Sequence, residues 1–190
     1  MKQSFITLQR YSALLSLSFT FFFAGCLMCE TTEYKITMNE DGKSGTLVTI
    51  MRNVQSGESD QTKQQKDFEQ AIQSWKGDDY LLQRLHEGMY VKDRNLAIEN
   101  NVLVWKEKAI FSDLGDIFKR EFKNDTLRFI IKGDQKIIST NGVIQPAKDS
   151  TVVFWVLAPS KEFFLTTKEN NFTPASDFAA MFKTYMKNSK

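Results

Sequence analysis

Cysteine and histidine are scarce in this chain of 190 residues. The two cysteines, Cys26 and Cys29, lie close together near the N-terminus, and residues 30–190 contain none. That excludes a disulfide framework and a cysteine-built zinc site from the folded part, which must be held by packing alone. His86 is the single histidine, so any Ser-His-Asp or Cys-His catalytic set would have to use it. It sits in a helical stretch beside Leu85 with no cysteine nearby, which suits a partly exposed helix residue better than a catalytic base. Acidic residues are missing before Glu30, and no second hydrophobic run near spanning length follows the first thirty residues.

Those thirty residues contain a three-part order. Lys2 and Arg10 give a positive start; Tyr11 to Ala24 form an apolar, serine-dotted run; Ala24, Gly25 and Cys26 close it. Positive charge, a short apolar core and small residues before a cut describe a secretory signal. A cysteine directly after Ala-Gly resembles the bacterial lipobox, with Phe23 standing where that motif usually has leucine. The expectation is cleavage before Cys26 and lipid on its thiol, giving a signal over 1–25, a lipidated tether over 26–33 and a single domain over 34–190. Two alternatives stay open. An uncleaved spanning anchor is one, since residues 11–29 carry no charge and a span needs roughly 20 apolar residues. Ser12, Ser16, Ser18 and Thr20 suit that reading less well. An ordinary cleaved signal is the other. All three place the domain outside the cytoplasm if orientation follows the positive-inside tendency. Cys29 follows Met28, which is not small and makes it a poor second lipidation site. A Cys26–Cys29 disulfide is excluded once Cys26 is a thioether.

Removing residues 1–25 takes away Lys2 and Arg10 and no acid. The remaining 165 residues then carry 23 basic against 23 acidic side chains. The basic balance of the precursor therefore leaves with the signal. A neutral domain argues against a nucleic-acid partner, which needs a basic face, and against steering to anionic lipid by net charge.

Along the chain, Tyr34, Ile36 and Met38 alternate with Lys35, Thr37 and Asn39, the period of a half-buried strand. The turn cluster Asp41-Gly42-Lys43-Ser44-Gly45 leads to a second alternating stretch over 46–52, so the pair predicts a hairpin. Phe68, Ala71, Ile72 and Trp75 predict a helix over 62–75. Asp78 is an expected N-cap for a second helix with Leu81, Leu82, Leu85 and Met89 on one side. Strands are predicted over 91–100 and 102–111, with Asn100-Asn101 as a tight turn and Leu103, Trp105 and Glu107 as candidates for one face. Ser112 is expected to cap a short helix holding Leu114, Ile117, Phe118 and Phe122. Strands at 126–132 and 136–140 follow, then Asn141-Gly142, a hairpin signal that here serves to bend the chain before Val143. The unbroken apolar run over 151–157 predicts a central strand covered on both faces, and residues 162–167 the next strand. Thr173-Pro174 predicts the start of a last helix carrying Phe178, Met181, Phe182, Tyr185 and Met186. The sum is an α+β domain: a mainly antiparallel sheet of about eight strands, a helical pair after the first hairpin, a short middle helix and a C-terminal amphipathic helix packed on the sheet, with 151–157 as its partner.

No catalytic constellation emerges. Gly42-Lys43-Ser44 lacks the earlier glycine of a phosphate loop, because position 37 is threonine. Asp78/Asp79 and Asp113/Asp116 sit at predicted helix starts, where capping and the helix dipole account for them. Asn124-Asp125-Thr126 and Asn171-Phe172-Thr173 fit the glycosylation sequon, which is uninformative in a bacterial envelope. Enzymatic activity, a metal and a cofactor are therefore not expected. The positive feature is aromatic. Trp105, Phe154, Trp155, Phe163, Phe164, Phe178 and Phe182 read first as core. The sharper expectation is that Trp105, Phe154, Trp155, Phe164, Phe178 and Phe182 line an apolar pocket for a hydrophobic or lipid-like ligand.

The layout from Cys26 through the Asp41–Gly45 turn, Phe111-Ser112-Asp113-Leu114-Gly115-Asp116-Ile117, Thr140-Asn141-Gly142 and the tryptophan-bearing strand 152–157 resembles the LppM-type lipoproteins of bacteria. The resemblance implies an α+β domain, anchored to a membrane outside the cytoplasm, that binds lipids or lipid-like glycoconjugates; no ligand residue is carried over from it. Some members have a spanning segment after the domain, where this chain has an amphipathic helix. The second expectation, of a different class, is a scaffold lipoprotein that binds an envelope protein partner and no small molecule; it predicts a filled core and an exposed apolar patch or sheet edge.

Overall fold

The computed structural model describes residues 27–118, 122–159 and 161–189. The expected lipidation site, Cys26, and the signal before it lie outside them. The fold is α+β, and every described strand pair is antiparallel.

In chain order the elements are β1 (Leu27–Met28), β2 (Thr31–Met38), β3 (Gly45–Arg52), β4 (Gln55–Ser56), α1 (Gln61–Lys76), α2 (Asp78–His86), β5 (Met89–Glu99), β6 (Val102–Phe111), α3 (Leu114–Ile117), β7 (Phe122–Lys123), β8 (Thr126–Lys132), β9 (Gln135–Thr140), β10 (Val143–Ala147), β11 (Ser150–Val156), β12 (Glu162–Glu169) and α4 (Phe178–Asn188). The expected single sheet of about eight strands is three sheets. A two-stranded ribbon pairs β1 with β4, a four-stranded sheet runs β10-β11-β8-β7, and a six-stranded sheet runs β5-β6-β3-β2-β12-β9. The chain crosses between the larger two between β6 and β7, at Gly133-Asp134, at Asn141-Gly142 and after β11, so neighbours in sequence are not always neighbours in a sheet. The two faces pack on each other with their alternate residues interleaved.

Local chemistry sets the hairpins. Asp41 accepts from the backbone N–H of Lys43 and Ser44, each at 2.9 Å, and Gly42 takes φ of 67°, which fixes the β2–β3 turn. Asn100 and Asn101 both have positive φ, 50° and 63°, matching the two-residue turn expected between β5 and β6. Asn124 and Asp125 do the same at 51° and 57°. That turn draws Phe122–Lys123 back as β7 against β8 and leaves the predicted helix over 112–122 a single turn, Leu114–Ile117.

Further expectations are corrected. The strand β2 begins at Thr31, inside the stretch read as a tether, because Thr31 to Glu33 pair with Ile50 to Arg52. The helix α4 starts at Phe178 with Asp177 as its cap, accepting from the Ala180 N–H at 2.9 Å, not at Thr173-Pro174. Ser176 Oγ accepts from the Ser56 N–H at 3.0 Å, and the Ala175 carbonyl from Gln64 Nε2 at 2.8 Å, which holds that segment out of helical conformation. On α2 the face is reversed: Leu82 and Leu85 are 54% and 57% exposed, while Tyr80 and Arg84 are buried. The strand β11 is central in its sheet but covered on one face only, with Val153 and Trp155 buried and Val156 71% exposed. Accordingly α4 docks on β6 and α1, not on 151–157.

Two cores result. In the first, Leu127, Phe129, Ile131, Val153 and Trp155 from the small sheet meet Ile36, Met38, Leu47, Ala109, Phe111, Phe163 and Leu165 from the large one. In the second, α1, α2 and α4 cover the other end of the large sheet, with Phe68, Ile72, Tyr80, Phe178 and Phe182 on Met51, Leu96, Leu103 and Trp105. Burying a core side chain of this size stabilises by about 1.5–3 kcal/mol each, so both cores are strong enough to fix the register of the sheet between them.

Candidate functional site

The six aromatic residues expected around one pocket are distributed over three places. Trp105, Phe178 and Phe182 belong to the helix-covered core, where Trp105 meets Tyr80 edge-on at 5.5 Å. Trp155 belongs to the core between the sheets; it lies edge-on to Phe129 at 5.7 Å, and its Nε1 donates to Asn141 Oδ1 at 2.9 Å. Phe154 and Phe164 alternate with buried neighbours and are half-buried on the outer faces of their sheets. The structure does not bring these six side chains together.

Between the two cores runs a polar row. Cross-strand register aligns Tyr34 of β2 with Thr49 of β3, Thr49 with Glu107 of β6, and Glu107 with Arg94 of β5. Glu107 is 2% exposed. Its Oε1 accepts from Arg84 Nε at 3.0 Å and Nη2 at 2.7 Å, and its Oε2 accepts a short hydrogen bond from the Tyr80 hydroxyl. Burial first, then the charge of Glu107, pushes the Tyr80 phenol up. Arg84 Nη1 reaches on to Glu87 at 2.8 Å. The Glu107 carboxylate, the Arg84 guanidinium and the Tyr80 hydroxyl are thus turned on one another, while Thr49 Oγ1 in the same row has no hydrogen-bond partner among the described residues.

The outer face of the four-stranded sheet is different. Register puts Val143 beside Phe154, Phe154 beside Arg128, and Val152 beside Ile130. Val143 is 60% exposed, Ile130 40% and Val156 71%. With half-buried Val152 and Phe154 between them, they form an apolar field bordered by Arg128, Lys132 and Gln145. All five residues of β10 are exposed, and β10 is the edge of its sheet. Hydropathy could not reveal this face: an uninterrupted apolar run looks the same whether one side or both are covered.

A cleft of about 330 Å³ opens where the β3–β4 connection, the β5–β6 turn and the start of α4 meet. Asn53, Val54, Gln55, Asn101, Val102, Leu103, Pro174 and residues 176–179 line it. Of the six aromatic candidates only Phe178 is among them. In the two-stranded ribbon Leu27 pairs with Ser56, and Met28 with the cleft-lining Gln55.

Cys29 is half-buried against the helix-covered core, and its Sγ lies 3.1 Å from Thr32 Oγ1. Burial pushes its thiol up to about 11. His86 is exposed at the end of α2. Asp113 caps α3, accepting from the Gly115 N–H at 2.7 Å, and Asp78 and Asp79 sit in the first turn of α2. Among the described residues no three His, Cys, Asp or Glu side chains are grouped to hold a metal ion, and no helix is long and apolar enough to cross a membrane. No protein family, curated protein or solved structure matches the chain.

Proposed function

We propose that this chain is an envelope lipoprotein of the interaction class: a non-enzymatic domain, tethered through lipid on Cys26, whose small sheet binds a protein partner. The observation that carries the reading is the pairing of an apolar outer face with an open strand edge at β10. A protein strand can satisfy the free backbone groups of that edge while its side chains cover Val143, Phe154 and Val156. Lipid tails would cover the apolar side chains but strand the edge N–H and C=O groups without hydrogen bonds. Exposed edges of this kind are a self-association hazard that proteins normally blunt. Pro146, which lacks an N–H, is a blunting device on β10 itself.

The dispersal of the six aromatic side chains over both cores and the outer sheet faces favours this reading over a pocket lined by all of them. The resemblance to LppM-type lipoproteins supports the tethered placement. Photo-crosslinking in the native envelope tests the assignment. A photoreactive side chain at Val143 is expected to give a discrete protein adduct, and one at Lys108 on the outer face of the large sheet is not. Adducts to lipid alone, or equal labelling from both positions, would overturn it. The tether is tested by fractionation: Cys26→Ala is expected to lose both radioactive fatty acid and the membrane fraction.

A further inference from the structure

We infer that Asn141 is a modification site: it deamidates onto Gly142, and does so only while the corner joining the two larger sheets stands open. It is the one asparagine in the chain that glycine follows. Glycine leaves its own backbone nitrogen unshielded, because it has no Cβ. That nitrogen can attack the side-chain amide carbon. The bond from Gly142 N to Asn141 Cγ forms, the bond from Cγ to Nδ2 breaks, and ammonia leaves with the Gly142 amide proton. Water, which reaches the exposed Asn141, then opens the cyclic imide at either carbonyl. The products are aspartate and isoaspartate; in the second the backbone runs on through the former side chain.

The closed corner holds both reacting groups elsewhere. Asn141 Oδ1 accepts from Trp155 Nε1 on β11 at 2.9 Å and from the Phe164 N–H on β12 at 3.0 Å. Its Nδ2 donates to the Glu162 carbonyl at 2.8 Å. Two donors facing one atom and a carbonyl facing the other allow a single orientation of the amide. The Gly142 N–H is held as well, donating to Thr140 Oγ1 at 3.0 Å. The amide has to leave β11 and β12 before it turns onto that nitrogen. Losing one such hydrogen bond shifts an equilibrium by about two- to tenfold, so the set protects by at least about tenfold.

Nor can the fold dispense with the reactive pair. A Cβ on residue 142 would stand 2.6 Å from Trp155 Cε2 and from Val153 Cγ1, so glycine is needed there. An amide is needed at 141, since a carboxylate has no donor for the Glu162 carbonyl. The reaction is therefore one-way, because its product cannot rebuild the clamp. The strand β10 starts at Val143, so the modification also loosens the edge that carries the proposed partner face. The chemistry itself is independent of that reading.

The test is incubation of the full chain in mildly alkaline buffer with neutral detergent, native and in denaturant. Trypsin cuts after Lys136 and Lys148, and Asn141 is the only asparagine in the peptide between them. Its conversion to the acid, followed by mass spectrometry, is expected to be at least about tenfold slower in the native state than in denaturant. Thr140→Val frees the Gly142 N–H. It is expected to speed the native reaction by about two- to tenfold and to leave the rate in denaturant unchanged. Amide exchange at Phe164 reports opening of the same corner and should rise by the same factor in that variant. In the isoaspartate product, separated by ion exchange, it should exceed the parent's by about two- to tenfold, for the hydrogen bond lost to Glu162. Equal rates of conversion in the native state and in denaturant would overturn the inference. So would Phe164 exchange that rises in Thr140→Val with no faster conversion.

Discussion

Arg84 Nη2 and Glu107 Oε1 lie 2.7 Å apart with both side chains at most 5% exposed, at the seam between two hydrophobic cores. Taking these charges out of water is expensive, and their attraction offsets that cost only because Tyr80 and Glu87 complete the set. Removing one partner therefore strands a buried charge. Glu107→Leu or Arg84→Met alone is expected to destabilise by about 3–5 kcal/mol. The double substitution is expected to recover most of that loss, because it buries no unpaired charge. Urea unfolding of the four proteins checks this. A double mutant as unstable as the sum of the singles would show that the pair contributes nothing as a pair.

Gly45 carries a different kind of constraint. A Cβ there would stand 2.3 Å from the Thr37 carbonyl oxygen and 2.7 Å from Phe111 Cζ. Backbone cannot step aside, so Gly45→Ala is expected to part β2 from β3 and cost about 1–3 kcal/mol. Gly133 is the control, since its added Cβ would meet only the Asp149 oxygen at an ordinary 3.6 Å. Gly133→Ala should stay within about 1 kcal/mol of the parent, with the sign decided by unfolded-chain entropy. Thermal melts of the two variants give the comparison.

These residues also show where sequence reading succeeds and where it stops. The turn at Asp41–Ser44, the strands β5 and β6 and their Asn-Asn turn were legible because side-chain period and positive-φ residues are local signals. Gly45 belongs by sequence to the turn cluster, yet its reason is a neighbouring strand's carbonyl, which no local pattern records. The same holds for α2. Leu81, Leu82 and Leu85 look like the buried side of a helix, and only the position of Glu107, reached across a sheet, makes Tyr80 and Arg84 the inward ones. The division of the strands into three sheets is likewise a non-local fact, set by bends at Gly133 and Gly142. At Gly142 an added Cβ would lie 2.6 Å from both Trp155 and Val153. Of the candidate sites, the aromatic list holds mostly core residues, whereas the apolar face of the small sheet depends on which side of β11 is covered, which leaves no trace in composition.

Glu30 gives a pH dependence with a defined sign. The hydrogen bond from Lys168, at 2.7 Å, and then that from Asn53 hold its carboxyl below the usual 4.5. A depressed carboxyl contributes stability above its unfolded value, and that contribution is lost as pH falls below about 4.5 and through the folded value. The pair is partly exposed, so its effect on stability is small and screened by salt. Carboxyl carbon resonances followed by NMR should show Glu30 titrating closer to 4.5 in Lys168→Met than in the parent. Identical titration in both proteins would remove Lys168 as the cause.

Cys29 separates the two cysteines by reactivity. Desolvation raises its thiol to about 11, and the Thr32 hydroxyl beside it only partly opposes the shift. The protonated form is the one the fold favours. Its contribution is fully present below the ordinary value of 9.0 and is lost as pH rises toward 11. At pH 8 the thiolate is then roughly a hundredfold scarcer than on an unperturbed cysteine. In a Cys26→Ala protein, where Cys29 is the sole thiol, alkylation by iodoacetamide should be at least about a hundredfold slower in the native state than in denaturant. The native rate should climb by about tenfold per pH unit up to about pH 11. A native rate matching the denatured one at pH 8 would mean that Cys29 is open to solvent, and that Leu27–Met28 does not hold the start of the chain against β4.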